Sequence, residues 1–413
     1  MRLIDADADL AAVVRADARA FGSTVDVDVL LARVGNYLEF DRFWVVDDGG
    51  DIAGHLGVFS FDLTLPGRVA LPAAGVTWVG VSPTHRRLGL MRQLMDASIA
   101  DARGRGECIA ALYASEAGIY GNVGFGPASV NRDVEIDLRR VRWLPELRAV
   151  GGRCRWIDDP DEVSELVRPI YDEWRLTQAG QISRNDGFWY RNLVDWAPER
   201  GDKSEVWTLV HFDDDGHADG YARYRLRDHW QGMNARFRLF VDEVVHTTPD
   251  AHVALWATLL ATDLVETLEM NQFAIDDPLG ALLVDPRAIT TTSYADGIWI
   301  RVLDVEAALS ARGYEIDESI VFEVTGAGSM SDDPAVGRYR LTVTDGVGVC
   351  RRESGAVSDV TLGLGELGSL MLGGGDAGRL AAVGRVVQST PGAALRLDRV
   401  MRAHPQPNCA TGF

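Results

Sequence analysis

The run Trp78-Val79-Gly80-Val81-Ser82-Pro83-Thr84-His85-Arg86-Arg87-Leu88-Gly89-Leu90-Met91-Arg92 carries the reading of the fold. An apolar strand ends at Ser82-Pro83, and a basic loop with one glycine follows. Leu90, Met91, Leu94, Met95 and Ile99 then recur at helical spacing. The first N–H groups of such a helix have no intrahelical partner and lie at the positive end of its dipole, which suits them to phosphate. Arg86, Arg87 and Arg92 add countercharge, and Gly89 lets the backbone approach a pyrophosphate closely. The loop has neither the ending nor the length of a Walker loop. By itself the segment also fits a plain basic loop that caps a helix.

Around this run the chain alternates helix and strand signals, which predicts a mixed α/β sheet. Leu10, Val13, Val14, Ala18 and Phe21 mark an amphipathic helix. Phe43-Trp44-Val45-Val46 and Ile52-Ala53 flank Asp47-Asp48-Gly49-Gly50 as a hairpin. Residues 54–65 read as a second β stretch, turned by Pro66-Gly67, and Ile109-Ala110-Ala111-Leu112-Tyr113 as a buried strand. Residues 162–174 read as a helix, residues 206–210 as one arm of a hairpin, and residues 237–245 as a strand leading through Thr247-Thr248-Pro249-Asp250 into a helix over 251–264. That order repeats residues 76–99 and suggests a duplicated unit whose second copy lacks the basic glycine loop. Beyond it, helices are expected over 302–313, 364–370 and 378–387, strands over 319–324 and 338–343, and a polar tail over 402–413.

Composition narrows the function. The 413 residues hold 41 Lys and Arg against 61 Asp and Glu, a net charge of −20 that opposes nucleic acid and is compatible with a cationic substrate. Hydrophobic residues at 46% exclude wholesale disorder. No apolar run approaches the roughly 18 residues of a membrane helix, and the first residues have no signal-peptide pattern. Cys108, Cys154, Cys350 and Cys409 are far apart and form no CxxC pair. A cytoplasmic protein with reduced thiols, no metal and no membrane contact is expected.

Arg86-Arg87-Leu88-Gly89-Leu90-Met91 resembles the Arg/Gln-x-x-Gly-x-Gly/Ala pyrophosphate loop of GCN5-related N-acetyltransferases (GNAT), with Met91 in place of the final small residue. Tyr120-Gly121-Asn122-Val123-Gly124-Phe125 is similar to the Tyr-x-x-x-Gly-Phe segment near the end of that fold. Pro83-Thr84-His85-Arg86-Arg87, Ala114-Ser115-Glu116, Gly118-Ile119-Tyr120-Gly121 and Gly124-Phe125-Gly126-Pro127-Ala128 resemble the Eis (enhanced intracellular survival) acetyltransferases of actinobacteria over essentially the whole length. The resemblance implies an α/β (α+β) chain with tandem GNAT folds, the second degenerate, and a C-terminal sterol-carrier-like domain. The expected spans are 1–145, 146–297 and 298–413. It further implies homohexamers and acetyl-CoA-dependent acetylation of aminoglycosides at several amines.

The same resemblance implies roles. An amine attacks the thioester, so the site must take a proton from the ammonium, stabilise an oxyanion and protonate a thiolate. Backbone groups of Val79, Gly80 and Val81, on a strand that splays at a bulge, are expected to pair with pantetheine, with the Val79 N–H facing the thioester carbonyl. Arg87, Leu88, Gly89, Leu90, Met91 and Arg92 are expected to hold pyrophosphate, and Ser115 and Glu116 to border CoA. Tyr120 is the expected general acid, and the α-carboxylate of Phe413 the expected base, which requires the tail to thread back into the N-terminal domain. Apart from the resemblance, Trp78 and Asp296 are candidates for the amine side, where an aromatic face and a carboxylate favour cations, with core packing for Trp78 and a turn for Asp296 as the alternatives. His85 reads as a loop or capping residue and Cys409 as incidental. No histidine shows metal-ligand spacing. Protein lysine as the acceptor, or a non-catalytic lipid-binding or scaffold role, are the alternatives.

Overall fold

A computed structural model of the chain describes every residue except 24–25 and 146–149. The first compact unit is discontinuous, comprising Met1–Ser129, Gln178–Arg191 and Asp296–Phe413. Its N-terminal part is built on strands β1 (Arg2–Leu3), β2 (Phe43–Asp48), β3 (Asp51–Leu65), β4 (Val69–Val81), β5 (Ile109–Tyr113) and β6 (Gly126–Pro127). Helix α1 (Ala6–Phe21) is capped by the Asp5 carboxylate on the Asp7 and Ala8 N–H groups, and buries Val13 and Val14. Helices α2 (Val27–Val34), α3 (Leu90–Gly104) and α4 (Ala117–Gly121) complete this part.

The sheet runs β1-β2-β3-β4-β5, then strand Ile298–Val302, then β6. Asp47-Asp48-Gly49-Gly50 does turn a hairpin, with Asp48 opposite Asp51. Residues 51–65 form one continuous strand rather than two, because β4 pairs with it from Gly54 to Leu65. The helix expected over 302–313 is corrected. Ile298–Val302 is a fully buried strand between β5 and β6, and the helix is Val305–Ala311, started by the Asp304 side chain on the Ala307 N–H. An all-apolar stretch interrupted by one arginine fits a strand covered on both faces as well as it fits a helix. The same unit holds a five-stranded sheet, ordered Val347–Arg352, Gly337–Thr344, Glu318–Thr325, Val360–Gly363 and Val386–Gln388. The helix expected over 378–387 spans Ala377–Ala382, and Gly384 at φ +77° turns the chain into strand Val386–Gln388. A helix without a counterpart in the sequence reading, Ala393–Met401, leads into the tail.

The second unit comprises Val130–Thr177 and Asn192–Ala295. Strand Phe237–His246 runs parallel to strand Val265–Phe273, and helix Pro249–Leu260 lies between them in sequence. In the first unit β4 and β5 are likewise parallel, with α3 between them. The helix stops at Leu260, short of the expected 264, where Leu264 takes φ +69° and the next strand begins. Its N-terminus is closed by its own chain, since Pro249 has no N–H to offer and the Thr248 hydroxyl accepts from the Ala251 N–H at 3.1 Å. That is the physical sense in which the second copy is degenerate. The boundary expected between 145 and 146 borders residues outside those described. The discontinuous units also depart from the expected spans, because residues 130–145 group with the second and 178–191 with the first.

Candidate active site

The site grows from a defect in the β4 ladders. On one side, β4 pairs with β3 at Gly80–His55 and again at Thr77–Gly57, so Trp78 and Val79 together oppose Leu56. This bulge puts Trp78 at φ +48°, a left-handed conformation rare for a bulky side chain and costing on the order of 1–3 kcal/mol. On the other side, β4 and β5 pair only at Ala73–Ile109, Ala74–Ala110 and Gly75–Ala111. Leu112 and Tyr113 keep only the pairing that all of β5 makes on its other edge, with Trp299 and Ile298. Beyond Gly75 the parallel ladder stops and the two strands part.

Into that opening face Val76, Thr77, Trp78, Val79, Tyr113, Ser115, Tyr120 and Phe413, with Asp17 and Phe21 from α1, around a cavity of about 230 Å³. Trp78 and Phe413, far apart in sequence, thus meet in one place. Tyr120 is 5% exposed on α4, and its ring stands edge-on to Phe125. Burial raises the Tyr120 pKa, against a smaller opposite pull from a hydrogen bond with Ser115. Glu116 is exposed at the start of α4.

The basic loop is open. Arg86, Arg87, Leu88 and Gly89 are exposed, and Arg87 at φ +66° and Gly89 at φ +79° turn the chain into α3. Gly89 is the N-cap and offers no side-chain cap, and a Cβ built on it meets nothing within 4 Å. Uncapped N–H groups beside free space and exposed arginines fit the pyrophosphate of CoA. Met91 is half-buried and packs on the core, so its side chain stays clear of the open face, and Leu90 and Arg92 are also half-buried. His85 is tied by Nε2 to Asp48 at 2.8 Å and by Nδ1 to Thr84 at 2.8 Å, as a loop-fastening residue. Gly80 is glycine for a different reason from cofactor approach. A Cβ there would fall 2.3 Å from the His55 ring.

The tail threads back into this unit along residues 178–191, which the sequence reading left without a role. The Asn408 N–H donates to the Ala179 carbonyl at 2.9 Å, and the Ala410 N–H to Gln181 Oε1 at 3.1 Å. The Arg184 guanidinium bonds the Thr411 hydroxyl at 2.8 Å, and Arg191 donates to the Gly412 carbonyl at 2.8 Å. The Phe413 ring then lies edge-on to Phe61 at 4.9 Å and to Tyr113 at 5.2 Å. Cys409 is fully buried, its thiol donates to the Thr411 carbonyl at 3.3 Å, and burial pushes its pKa up, which suits packing and not nucleophilic attack.

Asp296 does not line the cavity. It is exposed, and its carboxylate accepts the Trp299 indole N–H. Asp213, Asp215 and His217 bring ligand atoms within 4.8 Å of one another in a turn, a grouping that the spacing of the histidines did not suggest. Asp213 there accepts the backbone N–H groups of Asp215 and His217. Among the described residues no helix is long and apolar enough to cross a membrane.

Family models described as an acetyltransferase (GNAT) domain match residues 2–128 and 180–302, and one described as a sterol carrier protein domain matches residues 305–410. Fold and site therefore define an N-acetyltransferase enzyme of the GNAT class, a class that uses acetyl-CoA, with tandem acetyltransferase folds and a sterol-carrier-type domain. N-acetyltransferase Eis of Mycobacterium bovis (strain BCG / Pasteur 1173P2) is 36% identical over 85% of this chain and 83% of its own length. An uncharacterized N-acetyltransferase of Streptomyces avermitilis is 34% identical over 89% and 87%. The crystal structure of Eis1 from Mycobacterium abscessus superposes with a TM-score of 0.84 at 31% identity, over 100% of this chain and 99% of that one. The chain belongs to the Eis family of N-acetyltransferases.

Proposed function

We propose that this enzyme transfers the acetyl group of acetyl-CoA to amines of cationic multi-amine small molecules, aminoglycosides among them, at more than one position. The observation that supports this best is the cavity itself, where an acid (Tyr120), a parted strand edge (Val79) and aromatic walls (Trp78, Tyr113, Phe413) converge. The exposed loop at Arg87–Gly89 holds the pyrophosphate, and the unpaired edge of Val79, Gly80 and Val81 takes the pantetheine. Ser115 and Glu116 border it. The Val79 N–H stabilises the negative charge that develops on the thioester oxygen. Tyr120, kept protonated by burial, delivers its proton to the departing sulfur. The Phe413 carboxylate takes the proton from the attacking ammonium, a role desolvation favours. The aromatic walls and the net charge of −20 both attract cations. Assembly as a homohexamer is proposed on the family resemblance, and a cytoplasmic location on the widely spaced cysteines that form no CxxC pair.

The test is thiol release from acetyl-CoA with a panel of aminoglycosides, followed by mass spectrometry of the products. Gains of one, two or more acetyl units support the proposal. Acetyl-CoA binding without release on any small amine, together with modification of peptide lysines, would replace it with protein acetylation.

A further inference from the structure

The same cavity is lined by a carboxylate to which the preceding reading gives no role. Asp17 and Phe21 stand one helical turn apart on α1, and both line it. Asp17 falls within the stripe formed by Leu10, Val13, Val14, Ala18 and Phe21, where a carboxylate requires a dedicated partner. His55 on β3 supplies one, with Nε2 3.1 Å from Asp17 Oδ1. The imidazole is 1% exposed and stacks on Phe43 at 6.4 Å. It also occupies the space left by the missing Cβ of Gly80. Its Nδ1 is buried without a hydrogen-bond partner among the described residues. A ring enclosed this tightly cannot swing away, so it fixes one carboxylate oxygen in place. The Asp17 side chain remains 26% exposed, and no other hydrogen bond engages it among the described residues. Phe43 also supports Trp78, at 6.3 Å, so the carboxylate and the aromatic wall share one buttress.

We propose that Asp17 is the ammonium-binding carboxylate of the acceptor cavity, with His55 as the positioning residue that orients it. The inference rests on the acceptor reading above and deepens it. One ammonium of a multi-amine acceptor anchors on Asp17, beside the cation-favouring faces of Trp78 and Phe21, while a different amine of the same molecule reaches the thioester at the Val79 end. Binding and reaction then use different nitrogens, which favours acceptors that carry at least two.

Kanamycin is the probe, with its Kd measured by calorimetry and its KM and kcat by thiol release, and the acetyl-CoA Kd serves as control. Asp17→Asn keeps the shape and removes the charge. It should raise the kanamycin Kd and KM by about tenfold or more, with kcat at saturation within about twofold and the acetyl-CoA Kd unchanged. His55→Leu, which removes the donor, should shift kanamycin in the same direction. His55→Gln, whose amide can donate from a similar place, should retain wild-type values. An unchanged kanamycin Kd in Asp17→Asn overturns the proposal, as does a loss of kcat or acetyl-CoA binding that accompanies the shift, or a wild-type chain that does not bind kanamycin. A wild-type chain that binds kanamycin without acetylating it sinks the acceptor reading alone, because the calorimetric shift in Asp17→Asn still reports the carboxylate.

Discussion

At the scale of single residues, the chemistry depends on what each side chain is enclosed by. Tyr120 has a reference pKa near 10, above a thiol at about 8.5, and burial raises it further. It is therefore protonated at neutral pH, as the proposed role of general acid requires. Tyr120→Phe should lower kcat by roughly 100-fold while the KM for acetyl-CoA stays within about twofold, and unchanged kcat in a steady-state assay would remove the residue from the mechanism. Phe413 is held through its ring between Phe61 and Tyr113. Deleting Phe413, or appending one residue after it, should abolish turnover and leave acetyl-CoA binding intact by calorimetry. Turnover that survives both changes assigns the base elsewhere. Tyr120 was legible in its sequence motif. Asp17 was not, although its place in an apolar stripe is a signal that sequence reasoning can use.

At the scale of elements, two devices position the site. One is the bulge at Trp78–Val79, which frees the edge of β4 where the parallel ladder to β5 ends. The other is the docking of the tail. Arg312, buried without exposure to water, donates to the carbonyls of Met371 and Met401, the latter at the end of the helix from which the tail departs. Burial lowers the Arg312 pKa to about 10, still far enough above neutrality to keep the charge. Further along, Gly180 takes φ +95°, and a Cβ there would stand 2.9 Å from the Asn408 carbonyl oxygen. Gly180→Val should cost on the order of 1–3 kcal/mol and displace the tail. The expected signature is a fall in kcat with acetyl-CoA affinity preserved, and wild-type kcat would show that this contact does not hold Phe413 in place.

At the scale of the whole molecule, the second unit has its own stability signature. His246, on strand Phe237–His246, is pushed down to about 4, first by burial and then by the neighbouring His252, whose ring lies 4.6 Å away. The folded state keeps it neutral while the unfolded chain protonates it near pH 6.5, so the unfolded state binds more protons between those values. Stability present above pH 6.5 is then lost as the pH falls toward 4, by about 3 kcal/mol. Urea denaturation at pH 7 and pH 4.5 should show a smaller loss for His246→Leu than for wild type, and equal losses would assign the acid sensitivity to other groups. The sequence by itself determined the alternation of helix and strand, the basic glycine loop that opens α3 and the Tyr120 segment, because these rest on local patterns: turn chemistry, helical spacing and short motifs read within some tens of residues. Only the tertiary structure decided that Ile298–Val302 enters the first sheet, that residues 178–191 receive the tail, and that Asp17 meets His55. Each of those depends on contacts between segments distant along the chain, and an apolar strand or a lone carboxylate carries no local mark of the partner it will find.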